Sequence, residues 1–520
     1  MSAKNPTENA ISELEISWLD RAENSAARVI VWRVPASGES LLNGFFALQQ
    51  HPEGRSLADL FITLDTPFET GYGYSEALAN DFLESVEATP DARPWTGEAF
   101  LPCFSAAALC AMLADFARVH AEDFTTLIII LKPAAVSDIA AYQRWLAQWL
   151  AAPAERVRLL LTDTTEQPLW QPLIDAHAPH VLLLNDTPDA MQVMQQTARQ
   201  QTDPDSDRLL FRRYLADAML LLEKGSAAQV ASRAALAMPT ARRRGWADQE
   251  ALLHHLVAGA WLKAKNTPQA VAHYQKAQSA AARVADVPVR GQLAVQGAFG
   301  EAGAWFADKN YTEAAKHYRR AATLAREIPH PLFELEGCRM AGFALWQAGH
   351  RTVAMEDYAA AVRAAHAIAQ EERGQTTLPL VFADLLRMQD KHRSEALEAA
   401  AARFQQESQR LLLEAETAVS TLNPATAAAA VKQVDRRLQL RLEAAFLALR
   451  QQREALIAQG DESFRQTVRL ARDLLHPHWN GLPDVAHPFD APPGEWHSLP
   501  AWRANAPSAP LSETAGSNNV

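Results

Sequence analysis

The 520-residue sequence predicts a multidomain chain of α/β plus all-α class: a parallel α/β sheet domain, then a helical-repeat solenoid, then a long helical hairpin. Three observations carry this expectation. Five short apolar runs alternate with helical patterns over the first two hundred residues. One self-similar unit recurs four times between residues 210 and 370, and from Ser394 the chain is helix-forming with almost no breakers. A chain this long exceeds a single hydrophobic core and, at roughly 100 to 200 residues per domain, calls for three or four units.

The apolar runs fall at residues 28–34, 60–64, 126–131, 157–161 and 180–184. Their length, β-branched content and flanking turn residues mark buried strands. Helical patterns at 41–49, 105–119 and 139–151 lie between them. Alternation of this kind implies crossover connections and a parallel sheet covered on both faces, here spanning residues 1–200.

The first run passes through Arg33-Val-Pro-Ala-Ser-Gly38-Glu39-Ser40 into a helix. This is the register of a phosphate-binding loop, GxxxxGK[ST]. Gly38 and Ser40 take the second-glycine and hydroxyl positions, but Arg33 replaces the first glycine and Glu39 the lysine. The third run ends in Lys132 and Pro133, where a magnesium-holding aspartate would stand. By order and register the region resembles a P-loop NTPase that has lost its motifs. That resemblance implies that Gly38 and Ser40 would be the cofactor-binding residues if a nucleotide bound. A carboxylate at Glu39 would repel phosphates in a poorly solvated loop, so neither hydrolysis nor any catalytic residue is expected. Asp65 and Asp163 end two other strands, at the sheet edge where α/β ligands bind and where a carboxylate equally caps the next turn.

Past the turn-rich linker at 201–207 the composition becomes rich in alanine. The segments LLLEKGSAAQVASRAALA, WLKAKNTPQAVAHYQKAQ, WFADKNYTEAAKHYRRAA and LWQAGHRTVAMEDYAAAV each combine a helix end, a turn and a second helix. Their terminal alanines, Ala234, Ala277, Ala321 and Ala361, are spaced by 43, 44 and 40 residues. Tyr274, Tyr318 and Tyr358 keep the same offsets, and Trp261, Trp305 and Trp346 nearly so. These units resemble tetratricopeptide repeats lengthened beyond the usual 34 residues. The resemblance implies a solenoid over residues 208–385 whose concave side holds another protein. The family's peptide-clamp positions do not transfer onto the longer unit, and the three tryptophans are expected to be stacking core.

Within residues 390–475, Val431, Val434, Leu438, Ala445, Leu449 and Leu456 form one apolar stripe, and Leu397, Ala401, Phe404 and Leu411 a second. A hairpin broken near Pro424 would let them pair, or serve a homo-oligomer through these C-terminal helices. The tail, 476–520, is rich in proline and carries Trp479, Trp496 and Trp502; it cannot form a core and is expected to be flexible, its tryptophans packing back or docking elsewhere.

Composition excludes several classes. Hydrophobic residues make up 48% and charged residues 21%, the balance of an ordinary globular chain. A formal charge of -12 disfavours nucleic acid, despite the basic run at 242–244. The start is polar and acidic without a secretory pattern, and no apolar run reaches the roughly 20 residues of a membrane helix, so a cytoplasmic location without membrane insertion is expected. Cys103, Cys110 and Cys338 lack zinc-site spacing, as do the tail histidines, so no metal or cofactor is expected. These readings converge on a non-enzymatic adaptor, chaperone or scaffold, with a bacterial secretion-system accessory factor as one context. The alternative is a nucleotide-regulated signalling protein resembling the STAND class, which requires a nucleotide despite Glu39.

Overall fold

All five apolar runs are strands. In the computed structural model, which describes residues 5–23, 25–51, 54–87, 95–185, 187–200, 205–422 and 427–485, they are β1 (Val29–Val34), β2 (Leu60–Leu64), β3 (Leu127–Leu131), β4 (Val157–Thr164) and β5 (Val181–Leu184). They pair in parallel in the order β2-β3-β4-β1-β5. The helices are α1 (Pro6–Ser17), which continues into a π-helical turn at Trp18–Glu23, α2 (Glu39–Gln50), α3 (Gly71–Glu87), α4 (Ala106–Val119), α5 (Ile139–Ala151) and α6 (Gln171–His177).

Side-chain alternation along each strand splits the core in two. Ile30, Trp32, Phe61, Ile128, Ile130 and Leu160 face Trp18 and α2 through Phe45 and Phe46. Val29, Val31, Ile129, Leu131, Leu159 and Leu161 face α3, α4 and α5, where Phe82, Leu113, Trp145 and Trp149 are buried. β3 is buried along its whole length, as a strand covered by helices on both faces must be. The covering by α1 was not legible beforehand, because its sequence is largely polar and only Pro6, Ala10 and Leu14 are buried.

Four helical hairpins follow α7 (Ala190–Gln200): α8 (Ser206–Lys224) with α9 (Ala227–Arg243), α10 (Ala247–Lys263) with α11 (Thr267–Ala281), α12 (Val287–Ala307) with α13 (Tyr311–Glu327), and α14 (Pro331–Gln347) with α15 (Arg351–Ala365). The marker alanines Ala234, Ala277, Ala321 and Ala361 are all buried, as are Tyr274, Tyr318 and Tyr358. Small residues let the helices approach closely. A Cβ on Gly300 would lie 2.2 Å from the Tyr274 ring, and one on Gly337 would lie 2.9 Å from the backbone nitrogen of Ala322. The chain thus forms extended tetratricopeptide-like helical repeats after an α/β domain.

The turns inside the hairpins repeat as well. Lys265 (φ 57°), Lys309 (φ 63°) and Gly349 (φ 84°) are left-handed residues just past α10, α12 and α14. Each next residue returns its N–H to a carbonyl in the last turn: Asn266 to Trp261 at 2.9 Å, Asn310 to Trp305 at 3.0 Å and His350 to Leu345 at 2.8 Å. Only one of the three is glycine, although a side chain costs about 1 kcal/mol in this conformation. Lys265→Gly and Lys309→Gly are each expected to stabilise the protein by about 1 kcal/mol, and Gly349→Ala to destabilise it by a similar amount, measured by urea denaturation. The same turns correct one alignment: Leu345, not Trp346, stands where Trp261 and Trp305 stand, and Trp346 takes the place of Phe306.

Ion pairs tie neighbouring hairpins. Arg319 holds Asp357 through two bonds of 2.8 Å, and Glu250 accepts from Arg242 at 2.8 Å and Arg283 at 2.7 Å. The basic run is exposed but paired within the chain, Arg243 with Asp207 at 2.6 Å and Arg244 with Asp205.

The remaining helices are α16 (Gln370–Arg373), α17 (Leu378–Gln389), α18 (Lys391–Ser420), α19 (Ala427–Ala458) and α20 (Glu462–Leu474). The described residues fall into two compact units: 10–188 with 405–446, and 5–9 with 189–404 and 447–485. In the first, Leu411, Ala415, Val419, Val431 and Leu438 share a core with Tyr72 of α3, whose hydroxyl donates to Asp435 at 2.6 Å. The two stripes therefore pair with each other and also cover α3. In the second, Leu397, Ile457 and Phe464 join the core of the last repeats. The start of the tail packs back: Trp479 is 1% exposed with its ring 5.9 Å from that of Phe382. Trp496 and Trp502 lie outside the described residues.

Candidate functional site

Two places merit a functional reading, one on each unit. The first is the carboxyl edge of the sheet between β1 and β4, where the chain leaves β1 toward β2 and leaves β4 toward β5. Such a switch point is where open α/β sheets bind ligands. Here a cleft of 480 Å³ is lined by Glu39, Thr162, Asp163, Thr164, Gln167, Pro168 and Leu169.

The loop before α2 has the register of a phosphate loop without its shape. Ala36–Gly38 is a single tight 3₁₀ turn, closed by the Gly38 N–H donating to the Pro35 carbonyl at 2.7 Å. The Ala36 N–H donates to Glu166 Oε2 at 3.0 Å, so a carboxylate of the chain itself occupies this loop donor. Glu166's own N–H and that of Ala36 hold its carboxyl below the usual range. Gly38 is buried, whereas Glu39 and Ser40 are exposed at the start of α2.

Arg33 fills the space that a first glycine would leave open. Its Nε and Nη2 donate to Asp163 Oδ2 at 3.0 and 2.7 Å, and its Nη1 to Gln171 Oε1 at 2.8 Å. Asp163 Oδ1 accepts the N–H groups of Thr164 at 3.0 Å and Leu169 at 2.9 Å. Lys132, at the end of β3, donates to Asn43 and lies 5.1 Å from the centre of the Phe46 ring. Burial lowers its pKa and the nearby Glu39 opposes that shift. The crevice thus carries an anion where a phosphate loop has its lysine, and a cation where the magnesium ligand would stand. Of the two strand-end aspartates, Asp163 joins the crevice and Asp65 does not, because β2 is the far edge strand. Among the described residues, no group of three or more His, Cys, Asp or Glu side chains could hold a metal ion, and no helix is long and apolar enough to cross a membrane.

The second place is the inner side of the repeats. The first helices of successive hairpins touch one another, α8 with α10, α10 with α12 and α12 with α14, which places them on the inside of the curve. Rings bridge them: Phe306 of α12 stacks on Phe343 of α14 with centres 5.9 Å apart, and Phe299 meets Phe333 at 6.0 Å. Leu262, Phe306 and Trp346 form a half-buried apolar row at equivalent positions. Beside it, Gly259 and Gly303 face open space, since a Cβ on either would meet nothing within 4 Å. The signal for this row was present in the sequence as Ala258-Gly-Ala-Trp261 and Ala302-Gly-Ala-Trp305. Glycine in a helix interior costs about 1 kcal/mol relative to alanine, so its recurrence argues for room on this face rather than for stability.

No family model matches the sequence, and no curated protein matches it. Among solved structures, the apo form of RapI is similar at 12% identity over 55% of this chain and 80% of that one, with a TM-score of 0.33. Aspartyl phosphate phosphatase F from Bacillus subtilis is similar at 12% identity, 61% and 82% coverage and a TM-score of 0.31. A STAND protein with a tetratricopeptide repeat sensor from Pyrococcus horikoshii reaches 10% identity, 89% and 91% coverage and a TM-score of 0.25. Scores of this size carry no argument about function, which rests on the repeats and the crevice themselves.

Proposed function

We propose that this chain is a non-enzymatic, cytoplasmic adaptor or scaffold that holds a partner protein on the inner face of its repeats. The observation that carries this reading is the row of Leu262, Phe306 and Trp346 flanked by Gly259 and Gly303, an apolar strip with vacant room beside it on a rigid helical scaffold. A strip of this kind suits an amphipathic helix or extended peptide, whose side chains enter the space the glycines leave. A chaperone or a secretion-system accessory factor is a special case, with an exported client as the partner.

The glycines supply the test. Gly259→Glu and Gly303→Glu should fold normally and gain about 1 kcal/mol each in helix propensity, because their added atoms meet no neighbour. The double variant is expected to lose the partner that tagged wild-type protein retains on affinity purification. Retention of the same partner by the double variant would sink the reading.

The strand order and the loop register favour a second reading, a nucleotide-regulated switch of STAND type. Glu39, Glu166 and Arg33 weigh against it, since they place two carboxylates and a committed guanidinium where phosphates would bind. Magnesium complexes of ATP or GTP at millimolar concentration are expected to leave the melting temperature unchanged. A ligand at a hundred times its Kd would add about 2.7 kcal/mol of stability, a shift easily seen.

A further inference from the structure

Gly259 and Gly303 are not all that the second and third hairpins share. Each hairpin also carries a lysine in its turn, Lys265 after α10 and Lys309 after α12, both exposed and both in the left-handed conformation that side chains disfavour. Counted from the turn, the fourth hairpin has neither feature. Phe343 stands where the glycines stand, its ring stacked on Phe306, and Gly349 stands where the lysines stand. Vacancy and lysine thus occur together twice and are absent together once. Each glycine lies three residues before Leu262 or Phe306 and each lysine three residues after, so apolar strip and charge adjoin at one end of the inner helices.

Lys265 and Lys309 form no ion pair among the described residues, whereas Lys263 donates to the carbonyls of Leu222 and Glu223 at 3.3 and 3.0 Å. The three turns, 263–267, 307–311 and 347–351, hold Lys263, Lys265, Lys309 and Arg351 against one carboxylate, Asp308. This lip is basic on a chain whose formal charge is -12. Glycine would suit both left-handed positions better, so the lysines serve through their charge rather than through the fold.

We propose, resting on the inner-face reading, that the segment held there is an acidic amphipathic helix lying across α10 and α12. Its apolar side chains at i and i+7 enter the two vacancies, and its carboxylates meet Lys265 and Lys309. Packed inner helices stand roughly 8 to 10 Å apart, and residues two turns apart on a partner helix are separated by about 10 Å. The strip is two side chains wide, with the glycine positions as one row and Leu262, Phe306 and Trp346 as the other. A helix fills such a strip with its i, i+3, i+4, i+7 face, whereas an extended chain presents a single column to one side. Phe343 closes the glycine row, which fixes the partner's register over α10 and α12. Carboxylates along one flank of the apolar face also set which way the partner runs, since the reverse orientation would turn them away from the lysines.

The test is fluorescence anisotropy on full-length protein with a labelled designed peptide of about 18 residues, long enough to hold a helix. Leucines stand at i, i+3 and i+7, with glutamates along one flank. A second peptide carries lysines on that flank, and a third has asparagine in place of the leucines at i and i+7. The glutamate peptide is expected to bind wild-type protein, and both others to bind far more weakly. Lys265→Gly/Lys309→Gly should weaken the glutamate peptide about fivefold, and high salt should do the same to the wild type. The same variant should unfold at higher urea, so its weaker binding would not come from loss of the fold. Equal binding of the glutamate and lysine peptides, unchanged binding by Lys265→Gly/Lys309→Gly, or failure of the glutamate peptide to bind overturns the proposal. The inner-face reading is decided separately, by whether Gly259→Glu/Gly303→Glu still retains the cellular partner.

Discussion

Replacing Arg453 with methionine is expected to cost about 3 kcal/mol or more, because buried carbonyls stripped of their donor each forfeit roughly 1 to 3 kcal/mol. Arg453 is fully buried, 0% exposed. Its Nε donates to the Leu397 carbonyl at 3.1 Å and its Nη2 to the Pro483 carbonyl at 3.1 Å, besides the bond to Asn480. One guanidinium thereby fastens the start of α18, the body of α19 and the segment that follows α20. Methionine matches the aliphatic stem but supplies no donor, so the segment at 476–485 should detach and Trp479 should leave Phe382. Urea denaturation, together with limited proteolysis that cuts first within 476–485, would register both effects. Loss of less than about 1 kcal/mol with an uncut segment would show that solvent replaces the arginine there.

That guanidinium also shows where sequence reasoning reached its limit. Patterns that repeat along the chain were legible: the aliphatic runs of β1 to β5, and the alanine and tyrosine spacing of the hairpins. Each reflects a local period, two for strands and about forty for the repeats, that burial imposes on composition. Contacts that join distant positions left no such trace. Arg33 reads as a lost glycine until Asp163, 130 positions on, is placed beside it. Tyr72 gave no hint of Asp435, nor Arg453 of the carbonyls at 480–483. The tryptophan alignment slipped at Trp346 because hairpin three and hairpin four differ by one residue between ring and turn, which only the hydrogen bonds to Trp305 and Leu345 reveal. Asp65 and Asp163 were indistinguishable as strand-end carboxylates. The strand order separates them, since β4 lies beside β1 and β2 lies at the edge.

Asp163 bears the other large effect. Its two oxygens accept four bonds: two from Arg33 and one each from the N–H groups of Thr164 and Leu169. Its side chain is 1% exposed and that of Arg33 12%, so the pair is sequestered from solvent. Asp163→Ala would strand the guanidinium and free both N–H groups, and removing one partner of a buried pair costs on the order of 3 to 5 kcal/mol. Asp163→Asn keeps an acceptor for the loop and should cost less. Arg33→Leu/Asp163→Leu, which removes both charges, should recover much of the loss, because a buried pair contributes little over apolar side chains of similar volume. Urea denaturation of the three variants gives the ordering: alanine worst, asparagine intermediate, the double leucine nearest to wild type. If the double variant were instead as unstable as Asp163→Ala, the crevice would need this ion pair for its shape, and the loop before α2 would be held open by charge rather than by packing.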